Sequence, residues 1–140
     1  MQTYKKEFVE FLLRADALQF GEFTLKSGRS SPYFFNSSKF NNGPLIEELG
    51  SYYAAAIEEN APNCNLIYGP AYKGIPLCIS TAIALSASLN QNIGYFFNRK
   101  EKKTHGDQGT LVGQFPLASD SVVMVDDVIT DGLTKIESVE

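Results

Sequence analysis

The chain has 140 residues, 44% of them hydrophobic and 20% charged, with a formal net charge of −4. That length and mix suit one globular domain in water; they exclude a membrane span, which needs roughly 20 consecutive apolar residues, and general nucleic-acid binding, which leans on a broad basic surface. The start, MQTYKKEFVEF, has two lysines with no apolar run behind them, and Cys64 and Cys78 have no metal-ligand spacing, so a cytoplasmic protein with two buried spectator thiols is expected.

In YKKEFVEFLLRADAL, Phe8, Leu12, Ala15 and Leu18 recur at helical spacing while Lys5, Lys6, Glu10 and Arg14 occupy other faces, which predicts an opening amphipathic helix lying over a sheet. Two β-prone runs then flank SGRSSP, a stretch of turn formers, and predict a hairpin with Lys26 at its turn end. Pro44 suits a first helical turn, and Leu45, Ile46, Leu49, Tyr53, Ala56 and Ile57 share one face of the helix that follows. NLIYGP, AYKGIPLCISTAIALSASLN and IGYFF form a strand, a helix and a strand. The polar loop NRKEKKTHGDQGTLVGQFP comes next, then the strand SVVMV, an acidic pair and a last helix near TKIESVE. The order implies a mostly parallel α/β sheet covered on both faces, with ligands outside the carboxyl ends of the strands. Three loops leave those ends: GPAYKG, NRKEKKTHGDQG and DDVITDGLT.

Alternation along a strand turns Asp126 and Asp127 to different sides. Adjacent carboxylates can accept hydrogen bonds from vicinal hydroxyls or hold the hydration shell of Mg²⁺, although such dipeptides also simply begin loops. Thr130, Gly132 and Thr134, with the amides of a helix start, outline a phosphate cradle. Asp131 stands inside it, and a carboxylate facing phosphate at about 5 Å would cost roughly 3 kcal/mol per unit charge at an effective dielectric near 20, so it must point away or weaken the site. In GPAYKG, Gly69 and Gly74 would relax the backbone so that the Tyr72 and Lys73 amides turn toward an anion, although a plain strand-to-helix turn reads the same way. Arg99, Lys100, Lys102, Lys103 and His105, on a segment with Gly106, Gly109 and Gly113, would suit a lid that closes over polyphosphate and stabilises a leaving pyrophosphate. A solvated basic loop is the plainer reading.

Together these loops resemble a type I phosphoribosyltransferase, whose signature strand and loop are similar to VVMVDDVITDGLT. FGEFTLKSGRSSPYFFN, LIYGPAYKGIP and FFNRKEKKTHGDQGTLVG are similar to the orotate phosphoribosyltransferases of the bacterial type, and the resemblance runs from Tyr4 to Glu140. It implies one phosphoribosyltransferase domain, with an N-terminal helix and hood hairpin over 1–43 and a core over 44–140. It also implies transfer of ribose 5-phosphate from Mg²⁺-bound phosphoribosyl pyrophosphate (PRPP) to orotate, giving orotidine 5′-monophosphate and pyrophosphate. By position, Lys26, Phe34 and Phe35 would lie at the orotate side, with Lys26 also near PRPP. Tyr72 and Lys73 would meet the pyrophosphate. Arg99, Lys100, Lys103 and His105 would come from a lid that reaches into the partner subunit of a homodimer. Asp126 and Asp127 would hold the ribose hydroxyls, Thr130, Asp131, Gly132, Leu133 and Thr134 the 5′-phosphate, and Thr130 the orotate as well; Val128 and Ile129 of the same loop count among the binding residues. Lys103, His105, Asp126 and Asp127 are the catalytic candidates. Mg²⁺ would be held mainly by substrate and water oxygens, with no dedicated protein site.

The sequence departs from the family pattern in the phosphate loop, where a small residue usually stands at Asp131 and a hydroxyl at Leu133. The family also continues with further strands and an arginine that grips the orotate carboxylate, so the sequence reads as a truncated member. Two other readings are a PRPP- or nucleotide-binding module without transfer, and a fragment that associates with a full-length homologue through the dimer surface. A purine specificity fits the KSGRSSPYFFN stretch less well.

Overall fold

Helix α1 (Thr3–Arg14) opens the computed structural model, which describes residues 3–101, 109–129 and 132–136. It buries Phe11 and Leu12, with Phe8 and Ala15 half-buried beside them. The predicted stripe omitted Phe11 and extended to Leu18. Asp16 ends the helix earlier by taking a left-handed conformation (φ 57°), which a short polar side chain tolerates, and Leu18 instead begins strand β1 (Leu18–Thr24). That strand pairs antiparallel with β2 (Ser30–Phe35), with a bulge between Phe20 and Phe23. The hairpin turn is closed by the Leu25 N–H donating to the Arg29 carbonyl at 2.9 Å, with Gly28 at φ 81°, a conformation glycine adopts without a side-chain clash. Aromatic rings fill this region: Phe11 stacks on Phe40 at 5.5 Å, Phe40 meets Phe35 at 6.3 Å, and Phe23 meets Phe34 at 5.6 Å. Met1–Glu48 forms one compact unit and Leu49–Glu140 a second.

Helix α2 (Gly43–Asn60) is capped by the Asn42 side chain, which accepts from the Leu45 N–H at 3.0 Å. Its buried residues are Leu49, Gly50, Ala54 and Ile57. Of the face predicted from large apolar residues, only Leu49 and Ile57 are fully buried; Leu45, Ile46, Tyr53 and Ala56 are half-buried. The difference has a steric cause. A Cβ at Gly50 would lie 2.7 Å from the Ser80 backbone, so α2 meets helix α3 (Gly74–Leu89) through a small residue that hydrophobic spacing passes over.

The second unit carries a four-stranded sheet in the order β5-β4-β3-β6. Strand β3 (Leu66–Tyr68) is parallel to both β4 (Gly94–Asn98) and β6 (Val122–Met124). Leu66 and Ile67 are both 0% exposed; because successive strand residues face opposite ways, β3 is covered on both faces. Tyr68 stacks on Phe96 at 4.7 Å and closes the core at the carboxyl end of β3. Strand β5 (Leu111–Gly113) lies antiparallel against β4. LVG, expected from the sequence to lie within a polar loop, is therefore a strand. Three residues ending in a glycine at φ 103° carry no two-residue alternation from which a strand could be read. Helix α4 (Leu133–Ile136) follows Gly132 at φ 79°. Among the described residues, no helix is long and apolar enough to cross a membrane.

Candidate functional site

Parallel pairing puts the carboxyl ends of β4, β3 and β6 along one edge of the sheet, with Tyr68 in register with both Phe96 and Met124. The segments leaving those ends are therefore neighbours, as the doubly wound pattern requires.

Beyond β3 the chain turns sharply. A Cβ on Gly69 would sit 2.1 Å from the Gly74 carbonyl oxygen, and one on Gly74 would sit 2.8 Å from the Gly69 carbonyl carbon. These glycines serve close approach between the two ends of the turn, rather than the freed backbone expected from the sequence. Asn98, at the end of β4, accepts from the Ala71 N–H through Oδ1 at 2.7 Å, so the second strand mouth braces the first. The Ala71–Tyr72 peptide is cis. Tyr72 is 62% exposed, and Lys100 Nζ lies 5.2 Å above its ring, a cation–π arrangement. Lys73 turns toward β6, its Nζ 3.2 Å from Asp127 Oδ2.

Beyond β6, Val125 is buried and its N–H donates to the Tyr68 carbonyl at 2.9 Å, which carries the ladder one residue past the strand. The acids come next, their side chains only 13% (Asp126) and 16% (Asp127) exposed. Asp126 has three distinct contacts. Its Oδ2 pairs with Lys135, its Oδ1 accepts from the Asp127 N–H at 2.9 Å, and its backbone carbonyl accepts from the Tyr53 hydroxyl at 2.8 Å. Thus each acid has its own lysine, Lys135 for Asp126 and Lys73 for Asp127. The Lys135 N–H donates to the Gly132 carbonyl at 2.9 Å, in the turn that returns this lysine to the acids. Burial, together with the Asp127 and Asp126 carboxylates, pushes the Tyr53 hydroxyl up to about 12, since each of these disfavours a phenolate.

The structure thus brings Tyr72, Lys73, Lys100, Asp126 and Asp127 to one sheet edge. Arg99 is exposed, and its N–H donates to the Thr110 carbonyl at 2.7 Å. Val128 and Ile129 are exposed beyond the acids, at 48% and 73%. Lys26 is exposed in the hairpin turn, while Phe34 and Phe35 belong to the aromatic group of the first unit. Lys102, Lys103, His105, Thr130 and Asp131 lie outside the described residues, as do the side chains of Leu133 and Thr134. Sequence reasoning missed Tyr53, Asn98 and Lys135. Tyr53 was counted on an apolar face, whereas its hydroxyl needs a partner when buried. Asn98 was legible as a polar residue ending an apolar strand. Lys135, a cation shortly after two acids and a glycine turn, was a usable signal.

Chemically, the edge offers two largely buried carboxylates that can accept hydroxyl hydrogens and two lysines that can meet an anion. The acidic donors are all oxygens and already ion-paired, a set that suits the waters of a hydrated Mg²⁺ better than a bare ion.

No family model matches the chain. Over all 140 residues it is 53% identical to the orotate phosphoribosyltransferase of Methylococcus capsulatus and 52% identical to that of Pseudoalteromonas translucida. It spans 65% and 64% of those two proteins. The crystal structure of the orotate phosphoribosyltransferase of Francisella tularensis superposes with a TM-score of 0.80 at 42% identity, covering 94% of this chain and 61% of that one. With the strand order and the glycine-braced turn already described, these likenesses agree in kind: the chain has the type I phosphoribosyltransferase fold and aligns along its whole length with orotate phosphoribosyltransferases.

Proposed function

We propose that this site transfers ribose 5-phosphate from PRPP to a ring nitrogen of orotate, releasing pyrophosphate and giving orotidine 5′-monophosphate, a step of pyrimidine synthesis. The observation that carries the reading is the Lys73–Asp127 contact at 3.2 Å. It joins the cation suited to pyrophosphate with the acids suited to the ribose, the two halves of one substrate. The relatives' names supply the base and the group transferred.

In this reading Asp126 and Asp127 accept from the ribose hydroxyls, and their charge stabilises the positive character that develops at C1 as its bond to pyrophosphate breaks. Lys73, with the Tyr72 region, meets the pyrophosphate. Arg99, Lys100, Lys103 and His105 cover it as a lid shared between the subunits of a homodimer. The run from Thr130 to Thr134 holds the 5′-phosphate, and Lys26, Phe34 and Phe35, with Thr130, serve the orotate side. When bound with PRPP, Mg²⁺ would supply charge neutralisation at the phosphates, and Asp126 and Asp127 would accept from its waters. A cytoplasmic location belongs to the same proposal.

The test follows loss of orotate absorbance on adding PRPP and Mg²⁺ to the 140-residue chain, with Lys103→Ala as control. Turnover slowed about 100-fold or more in the control is the expected result for loss of a transition-state cation. PRPP binding without orotate consumption would instead assign the chain a binding role. Failure of either to occur would remove the functional proposal while leaving the fold.

A further inference from the structure

We propose that Tyr53 is a positioning residue for the acid pair and thereby sets affinity for the ribose-bearing substrate, an inference that rests on the phosphoribosyl reading. Tyr53 lies on α2, away in sequence from all three strand-mouth loops, yet its hydroxyl donates to the Asp126 carbonyl at 2.8 Å. That carbonyl and the Asp127 N–H are the two polar ends of a single peptide unit. The N–H end is tied as well, since it donates to Asp126 Oδ1 at 2.9 Å.

A peptide unit is planar, and its orientation sets the directions in which the flanking side chains depart. With both ends held, the Asp126–Asp127 unit cannot rotate without breaking a partly buried hydrogen bond, so the two carboxylates are presented in a fixed relation. The backbone needs such a hold here. Val125 still donates to Tyr68, but the acids follow beyond the end of β6 at Met124. Tyr53 suits the task because burial and the neighbouring carboxylates keep its hydroxyl protonated and able to donate. It touches no substrate in this scheme and acts through the aspartates.

The experiment measures binding of PRPP with Mg²⁺ by calorimetry for the wild-type chain, Tyr53→Phe, Asp127→Asn and the double variant, with circular dichroism and thermal melting to verify folding. Tyr53→Phe is expected to stay folded and raise Kd by roughly 3- to 10-fold, the range of one lost hydrogen bond. The loss should shrink in the Asp127→Asn background, because the two residues act on one ligand contact. An unchanged Kd, or the same loss in both backgrounds, would overturn the role of Tyr53 alone. Absence of wild-type binding would instead overturn the phosphoribosyl reading on which it rests. A second measurement needs no variant: amide hydrogen exchange in the wild-type chain should show the Asp127 N–H protected relative to that of exposed Val128. Equal exchange at the two amides would overturn the inference even if Tyr53→Phe did not fold.

Discussion

Lys135 and Lys73 each meet an aspartate, but their surroundings give the two pairs different weight. The Lys135 side chain is 23% exposed and its partner Asp126 13%, whereas Lys73 is 64% exposed beside Asp127. Removing one member of a mostly buried pair strands the other charge in a poorly solvated position, while a lysine in solvent contributes little to folding. Lys135→Met is therefore expected to lower stability by about 1–3 kcal/mol, and Lys73→Met by less than about 1 kcal/mol, both measured by urea unfolding. On the proposed phosphoribosyl reading, PRPP binding should respond in the opposite order, with Lys73→Met the more damaging. At this scale the sequence pointed to Asp126, Asp127, Tyr72 and Lys73 as residues at strand mouths, and the structure brings them to one sheet edge. It could not announce which lysine meets which acid, since that depends on the return path of the chain after Gly132.

Helices α2 and α3 meet at a glycine. A methyl group at Gly50 would press on the Ser80 backbone, which cannot move as a flexible side chain can, whereas a Cβ at Gly43 would meet nothing within 4 Å. Gly50→Ala is expected to destabilise by about 1–3 kcal/mol, as overpacking does; Gly43→Ala should change stability by less than about 1 kcal/mol. Thermal unfolding of the two variants checks the contrast. The same element shows where periodicity stops being informative. The helix was evident from its apolar recurrence, and Leu49 and Ile57 of the predicted face are buried, but Gly50 and Ala54, buried beside them, carry too little hydrophobic signal to be read. Strand β5 was illegible for a related reason: its partner β4 supplies the pairing that three residues cannot advertise alone.

Across the whole chain, order of assembly follows from topology. The β1–β2 hairpin pairs residues close in sequence, with Thr24 opposite Ser30. The parallel sheet must instead bring Leu66 beside Val122, a long loop closure that precedes any gain from burial and slows folding. The βαβ order made this architecture readable in advance, as hydrophobic runs alternating with a helix have few alternative arrangements. Cys64 and Cys78 report on the same unit. Both are buried, at 3% and 0% exposure, and burial pushes both thiols above their ordinary range, Cys78 to about 11. A thiol-labelling reagent should therefore modify neither cysteine in the native protein, and both should label together as the Leu49–Glu140 unit opens. Mass spectrometry under native and mildly denaturing conditions checks this; early labelling of one thiol alone would show that the unit opens in parts.

The turn between Gly69 and Gly74 also restricts inheritance. A missense change in a glycine codon always introduces a Cβ, and at these positions it would meet the opposite end of the turn at 2.1 Å or 2.8 Å. No gentle first step is open there. Single-base drift through the strand mouths is thus channelled away from these two sites toward residues such as Tyr72, whose side chain stands in solvent. A lineage could retune what the loop touches long before it could redraw the loop.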